Sequence, residues 1–275
     1  MYKVLSIAGS DSSGGAGIQA DLKTITCLGE YGMTVITALT AQNTMGVDNV
    51  ETVSVQMVQS QIDAVFCDIR PDAVKLGMIA TPDIMEAVCD KLMEYKAKNI
   101  VVDPVMVATS GSTLMENRTV QTLKERLIPI ADIITPNISE AEVLSGIKIC
   151  GMEDMRKVAE KIASYCKGAI LIKGGHLSEG AEDLLYKDGK VVWFSSKRLE
   201  NSNTHGTGCT LSSAIATFLA KGFCMEDSVE RAKDYVTGAI AVGLDLGNGR
   251  GPLWHNYILE RELLDNTCKS IKRLV

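Results

Sequence analysis

Histidine is scarce in this chain and its sulfur is unorganised. The three histidines, His176, His205 and His255, show no paired spacing, and none of the eight cysteines forms a C-x-x-C pair. Zinc is therefore not expected. Cys27, Cys67, Cys89, Cys166 and Cys224 fall among apolar residues in or beside predicted helices, the usual setting of buried free thiols. Lys/Arg-rich runs are also missing, and the formal charge of -6 argues against a nucleic-acid partner. No apolar run reaches the roughly 20 residues of a membrane span. The opening Met1-Tyr2-Lys3-Val4-Leu5-Ser6-Ile7-Ala8 turns into glycine and aspartate too soon for a signal peptide. A soluble, cytoplasmic chain with neither membrane nor nucleic acid as partner is the expectation.

Two familiar nucleotide signatures fail as well. No G-x-x-x-x-G-K-[ST] exists, so this is not a P-loop protein. Gly15-Ala16-Gly17-Ile18-Gln19-Ala20 formally matches the dinucleotide fingerprint G-x-G-x-x-A. That fingerprint requires an acidic residue at the end of the second strand, which here reads Ala38-Leu39-Thr40-Ala41-Gln42. A five-residue insert, Ser10 to Gly14, further separates the motif from Gly9. Linkers, repeats and low-complexity tracts are absent too, so residues 1–275 are expected to form one domain.

What is present is an alternation of short apolar runs with amphipathic stretches, in a chain that is 46% hydrophobic. Strands are expected at Lys3–Ala8, Val35–Leu39, Ala73–Leu76, Ile100–Asp103, Ile133–Thr135 and Ala169–Ile172. Helical spacing marks Ile18–Leu28 and Val55–Cys67, and Thr81-Pro82 reads as N-cap and first residue of a helix to about Glu94. Lys187-Asp188-Gly189-Lys190 is a hairpin turn between Leu184–Tyr186 and Val191–Phe194. Only helices follow, over Thr210–Lys221, Met225–Val242 and from about Asn256 to the end. This order predicts an α/β fold with a mostly parallel central sheet and helices on both faces. Function in such sheets gathers at the carboxyl ends of strands.

The chemistry centres on Asn203-Thr204-His205-Gly206-Thr207-Gly208-Cys209-Thr210. Gly206 and Gly208 allow a tight turn whose amides converge, and a helix beginning near Thr210 adds its positive end. A phosphate suits that place. The same field should favour the thiolate of Cys209. Asp103, at the end of an apolar strand, reads as a capping residue or an Mg²⁺ ligand. Asn137 and Glu140 share one face of a helical turn, which fits a capping box and an oxygen-rich Mg²⁺ site equally. Lys173, before two glycines, suits a phosphate or a solvated surface. Asp21 reads by default as an exposed helix-face carboxylate. The Gln42 amide offers a donor beside an acceptor, matching the edge of an aminopyrimidine or simply bracing a loop. Met78 reads as core before ligand wall.

The ordered set resembles the ribokinase-like superfamily, and within it the bacterial hydroxymethylpyrimidine/phosphomethylpyrimidine kinases of thiamine biosynthesis. The likeness runs from Ser6 to about His255. It includes Ala8-Gly9-Ser10-Asp11 through Asp21-Leu22-Lys23, Thr40-Ala41-Gln42-Asn43-Thr44, Val74-Lys75-Leu76-Gly77-Met78 and Val102-Asp103-Pro104-Val105-Met106. It continues through Thr135-Pro136-Asn137, Ile172-Lys173-Gly174-Gly175-His176, the glycine turn and Gly249-Arg250-Gly251-Pro252. The resemblance implies a three-layer sandwich without a large lid, and ATP-dependent phosphorylation of 4-amino-5-hydroxymethyl-2-methylpyrimidine and then of its monophosphate. It implies that Gly9, Asp21, Gln42, Met78 and Val105 surround the pyrimidine. Lys173 and Lys233 then serve ATP, and Asp103, Asn137 and Glu140 serve Mg²⁺. Gly206, Thr207 and Gly208 hold the transferring phosphoryl group, with Cys209 as base where most of the superfamily carries aspartate. A homodimer and a monovalent cation belong to the same family pattern. Leu199-Glu200-Asn201-Ser202 is more polar than that pattern. A pyridoxal or pyridoxine kinase on the same scaffold is the nearest rival, and a nonenzymatic pyrimidine-binding regulator a more distant one. If Lys173 serves the ATP phosphates, Lys173→Ala should chiefly damage ATP use in steady-state kinetics; normal ATP kinetics would remove it from the site.

Overall fold

The computed structural model describes residues 1–106, 117–175, 181–196, 201 and 203–259. Nine strands form one sheet in the order β3-β2-β1-β4-β5-β6-β7-β8-β9. They are β1 (Lys3–Asp11), β2 (Tyr31–Asn43), β3 (Gly46–Thr52), β4 (Ala73–Leu76), β5 (Ile100–Val102), β6 (Ile133–Ile134), β7 (Ala169–Ile172), β8 (Ala181–Lys187) and β9 (Lys190–Ser196). The block from β2 through β7 is parallel, while β3 pairs antiparallel with β2 at one edge, and β8 pairs antiparallel with both β7 and β9 at the other. The central strands are short continuous apolar runs because both of their faces are covered.

The helices are α1 (Gly17–Cys27), α2 (Val55–Asp68), α3 (Pro82–Glu94), α4 (Asn117–Thr122), α5 (Ile138–Ser145), α6 (Met152–Ala163), α7 (Thr207–Ala220) and α8 (Met225–Val242). One face of the sheet packs on α2, α3, α5 and α6 through Ile62, Met85, Ala141 and Val158. The opposite face packs on α1, α7 and α8 through Ile25, Ile215 and Val229. Local signals set several boundaries as the sequence suggests. Thr81 Oγ1 accepts the Ile84 N–H ahead of Pro82, and Asp188 and Gly189 take φ of 50° and 78° in the β8–β9 turn.

Three differences from the sequence reading concern an edge strand, a helix start and two cysteines. The β2 strand runs well beyond Val35–Leu39 and turns back as β3, whose residues after Val47 are all exposed. An edge strand that buries no face carries no alternating apolar signal. The α7 helix starts at Thr207, not near Thr210, because Gly206 at φ 82° forms the cap itself. Cys67 and Cys224 are exposed, not buried; Cys224 caps α8 by accepting the Asp227 N–H. The expected last helix shows its first turn at Tyr257–Leu259, and the remainder lies outside the described residues, as do His176, Leu199, Glu200 and Ser202.

The sheet's direction of growth reverses at β1, between β2 and β4, and a buried ion pair sits at that switch point. Lys75 on β4 and Asp21 on α1 are both 0% exposed and meet at 2.8 Å. Asp21 also accepts hydrogen bonds from Ser6 Oγ on β1 and Ser213 Oγ on α7. Burial works against the charged form of Lys75, but Asp21, with Cys209 and Asp103 behind it, holds the ammonium above its ordinary range. Removing one partner leaves an uncompensated charge in the core. Lys75→Met should therefore cost about 3–5 kcal/mol in chemical denaturation. The double variant Lys75→Met/Asp21→Asn should lose less than the sum of the two single changes.

Candidate active site

The glycine turn lies across the carboxyl ends of the parallel strands. A Cβ at Gly206 would stand 1.9 Å from the Gly15 carbonyl oxygen, so only glycine fits against the β1–α1 loop. A Cβ at Gly208 would stand 3.1 Å from Asp103 Oδ2 and 3.4 Å from Lys173 Nζ. The missing side chain thus leaves a cradle between the start of α7 and these two charged groups. The amides of Gly208 and Cys209 fall in the first helical turn, ahead of any intrahelical acceptor.

His205 anchors the turn from below. Its Nε2 lies 2.9 Å from Asp11 Oδ2, and its N–H donates to the Gly251 carbonyl. Asp11 also accepts from the N–H groups of Ser13, Gly15 and Ala16, which folds the Ser10–Gly14 insert around one carboxylate. Burial opposes that charge, yet His205, Ser13 and Ala16 keep it well below the usual carboxylate range. The Gln42 amide nitrogen is 3.5 Å from His205 Nε2, and Gln42 Oε1 accepts from Thr40 Oγ1. On the far side, Thr210 Oγ1 meets His255 Nε2 at 3.0 Å.

Lys173 reaches Asp103 Oδ1 at 3.1 Å, and Thr135 Oγ1 donates to the same oxygen. Burial opposes the Lys173 charge, but Asp103 and Glu140 raise it above the ordinary lysine range. Glu140 is 5% exposed. Burial, reinforced by Asp103 and opposed by Lys173, drives its carboxyl up to about 7. Asn137 Oδ1 accepts the Glu140 N–H while Glu140 Oε2 accepts the Asn137 N–H, a complete capping box. Of the three expected Mg²⁺ residues, Asn137 and Glu140 are thus both engaged in the helix cap, Glu140 through one oxygen of its carboxylate. Asp103 and Glu140 fit a hard cation through their chemistry, as two carboxylates beside the Lys173 ammonium, with Glu140 Oε2 also accepting the Asn137 N–H and Oε1 facing the Met106 N–H at 3.5 Å. No group of three or more His, Cys, Asp or Glu positioned for a metal occurs among the described residues. Substrate oxygens would complete such a shell, as is common for Mg²⁺.

Gly9 and Met78 come together, since a Cβ at Gly9 would stand 2.6 Å from Met78 Cε. Val105 lies three residues beyond the end of β5, its N–H donating to the Asp103 carbonyl. Asp21 departs from its expected setting: it is buried, and four donor contacts from Lys75, Ser6 and Ser213 occupy its oxygens. Lys233 pairs with Asp183. Cys209 also departs from expectation. Burial pushes its thiol up to about 11, and Asp21 and Asp103 add to that; Lys75 and the Gly17 N–H recover only part. The helix start therefore does not leave a resting thiolate. Sequence reasoning gave no role to Lys75 or Asp183. A lysine inside the buried run Ala73-Val74-Lys75-Leu76 was the available signal, since lysine is rarely fully buried without a partner.

The family model for phosphomethylpyrimidine kinase matches residues 11–254. The chain belongs to the phosphomethylpyrimidine kinase family. Two hydroxymethylpyrimidine/phosphomethylpyrimidine kinases illustrate its similarity to members of that family. That of Rhizobium meliloti is 50% identical over 91% of this chain and 96% of its own length. That of Bacillus subtilis is 44% identical over 97% and 99%. The thiamine biosynthesis bifunctional protein ThiED of Geobacter sulfurreducens is 50% identical, but this chain spans only 53% of its length. Among solved structures, phosphomethylpyrimidine kinase from Clostridium difficile matches with a TM-score of 0.79 and 47% identity, covering 87% of this chain and 100% of that one. An ADP complex of Bacillus subtilis pyridoxal kinase matches with a TM-score of 0.87 and 37% identity, covering 94% and 98%. The sheet order and helix layers are thus those of a ribokinase-like kinase, and ATP is the phosphoryl donor that membership of this kinase family implies.

Glu140 makes the metal-free protein sensitive to pH. The native carboxyl keeps its proton to about 7, whereas an unperturbed one releases it near 4.5. Between those values unfolding releases a proton, so rising pH favours the unfolded chain. Buried His255, held down to about 4, works in the opposite sense below about 6.5. The melting temperature without Mg²⁺, followed by circular dichroism, should therefore fall chiefly between about pH 6.5 and 7.5, and Glu140→Gln should remove that fall.

Proposed function

We propose that this protein transfers the γ-phosphoryl group of ATP to 4-amino-5-hydroxymethyl-2-methylpyrimidine, and then to the resulting monophosphate, for thiamine biosynthesis. The observation that carries the reading is the Gly208 cradle, where the start of α7 faces Asp103 and Lys173 across a space one methyl group would fill. Phosphoryl transfer depends mostly on positioning and charge neutralisation, and such a cradle supplies both. Family membership and the names of the relatives support the choice of substrate.

In this reading Gly9, Met78 and Val105 flank the pyrimidine ring at the strand ends, and Gln42 reads its ring nitrogen and amino group. Asp21 contributes from beneath, by holding Lys75. Lys173 meets the ATP phosphates, and the amides of Gly206, Gly208 and Cys209 hold the transferring group, while the Thr207 N–H and hydroxyl both donate to the Thr204 carbonyl and brace the turn. Asp103 and Glu140 would hold Mg²⁺, whose charge offsets that of the phosphates. Cys209 accepts the hydroxyl proton. The protein acts as a single cytoplasmic domain and pairs as a homodimer. A monovalent cation is a further family feature.

Pyridoxal is the second reading, favoured by the likeness to pyridoxal kinases. One of these, from Staphylococcus aureus in complex with AMP-PCP and pyridoxal, matches with a TM-score of 0.85 at 35% identity. ATP-dependent turnover of the hydroxymethylpyrimidine, its monophosphate and pyridoxal in one assay tests both. Preference for pyridoxal would overturn the pyrimidine assignment, and ligand binding without turnover would make the protein a regulator.

A thiol raised to about 11 can serve as base only as its proton leaves. In that case kcat should climb about tenfold per pH unit between roughly pH 7.5 and 9.5. Cys209→Ala should abolish the climb and most turnover while leaving substrate affinity largely intact. A flat wild-type profile would restrict the sulfur to placing the hydroxyl.

A further inference from the structure

We propose that Asp183 and Lys233 are positioning residues for Lys173, acting on the ATP phosphates only through the main chain of Gly174. The inference deepens the phosphotransferase reading above and rests on its assignment of Lys173.

Lys173 leaves the end of β7 through a short, constrained segment. Its own N–H donates to the Pro136 carbonyl at 2.9 Å. The next amide, Gly174 N–H, donates to Asp183 Oδ1 at 2.8 Å. Asp183 reaches that point because β8 runs antiparallel beside β7, with Leu184 opposite Ile172. Gly174 has no freedom to drift toward β8, since a Cβ there would stand 1.8 Å from the Glu182 carbonyl oxygen. The two amides on either side of the Lys173 α-carbon are therefore fixed from two directions, and its side chain is aimed toward Asp103.

The second oxygen of Asp183 pairs with Lys233 Nζ, which arrives from α8. Both side chains are largely sequestered, at 12% and 10% exposure. For Lys233 to touch a nucleotide directly, it would have to leave a buried carboxylate without a counter-ion, an arrangement that is strongly unfavourable. Its more economical role is to keep Asp183 charged and in place. A charged acceptor holds an amide more firmly than a neutral one. Loss of either partner would free the Gly174 peptide and let the Lys173 ammonium wander from the cradle.

The test is epistasis, read by binding of a non-hydrolysable ATP analogue and by separate KM values for ATP and pyrimidine. Lys233→Met and Asp183→Asn should each weaken analogue binding and raise the ATP KM roughly tenfold, with the pyrimidine KM nearly unchanged. Lys233→Arg should restore most of the loss. In a Lys173→Met background neither change should weaken the analogue further, because the group they position is gone. An additional loss in that background would show an independent contact and overturn the proposal, as would unaltered analogue affinity in the single variants. Parallel rises of both KM values with a falling melting temperature would reduce the pair to a structural role and equally overturn it. Should Asp183→Asn fail to fold, Lys233→Met and Lys233→Arg carry the test. Because binding of the analogue needs no turnover, absence of pyrimidine phosphorylation would sink the functional reading without deciding this one.

Discussion

A lysine ammonium and an aspartate carboxylate locked together in the core constrain the rest of the site. Lys75 and Asp21 meet with no solvent access, and Ser6 and Ser213 complete the shell around the carboxylate. Four elements, β1, β4, α1 and α7, each contribute one group to this knot. A buried pair of this kind contributes little net stability compared with apolar packing, but displacing either partner leaves an uncompensated charge in the core. Here that constraint fixes how α7 is set against the switch point of the sheet, and hence where the first turn of α7 points.

The consequences propagate upward through glycine. Gly77 has no room for a side chain because Lys75 Nζ lies 2.8 Å from where its Cβ would be, and Gly206 has none because of the Gly15 carbonyl. Close approach of backbone to backbone packs the β1–α1 loop, the strand ends and the start of α7 around one small space. The charges bordering it are mixed: Lys173 against Asp103, Glu140 partly neutralised by its proton, and a Cys209 thiol held in the protonated form. The resting site is thus poised for a ligand bringing both negative oxygens and a counter-cation, as a nucleotide does. The Asp183–Lys233 pair extends the same logic outward, with one buried carboxylate serving one backbone amide.

The disagreements between sequence and structure fall where distant elements set a residue's surroundings or where an exposed segment leaves no apolar rhythm. A helix N-terminus favours a thiolate, but desolvation, with two carboxylates nearby, outweighs that field at Cys209. Asp21 looked like a surface carboxylate because amphipathic spacing does not reveal that α7 covers its side of α1. Asn137 and Glu140 fitted a cap and a metal site equally by spacing, and only the reciprocal hydrogen bonds distinguish the cap. The β3 strand escaped notice because an exposed edge leaves no apolar rhythm.

The sequence by itself determined the layered α/β class, most helix and strand positions, the glycine turn and the identity of the residues gathered at the strand ends. Those features are local, set by apolar spacing, caps and turn chemistry acting within a few residues. Tertiary structure alone decided which charges are paired and which are buried. Asp21 with Lys75 are 54 residues apart, Asp103 with Lys173 are 70 apart, and Asp11 with His205 are 194 apart. Desolvation and pairing depend on what packs over a side chain, and no short window of sequence contains that information.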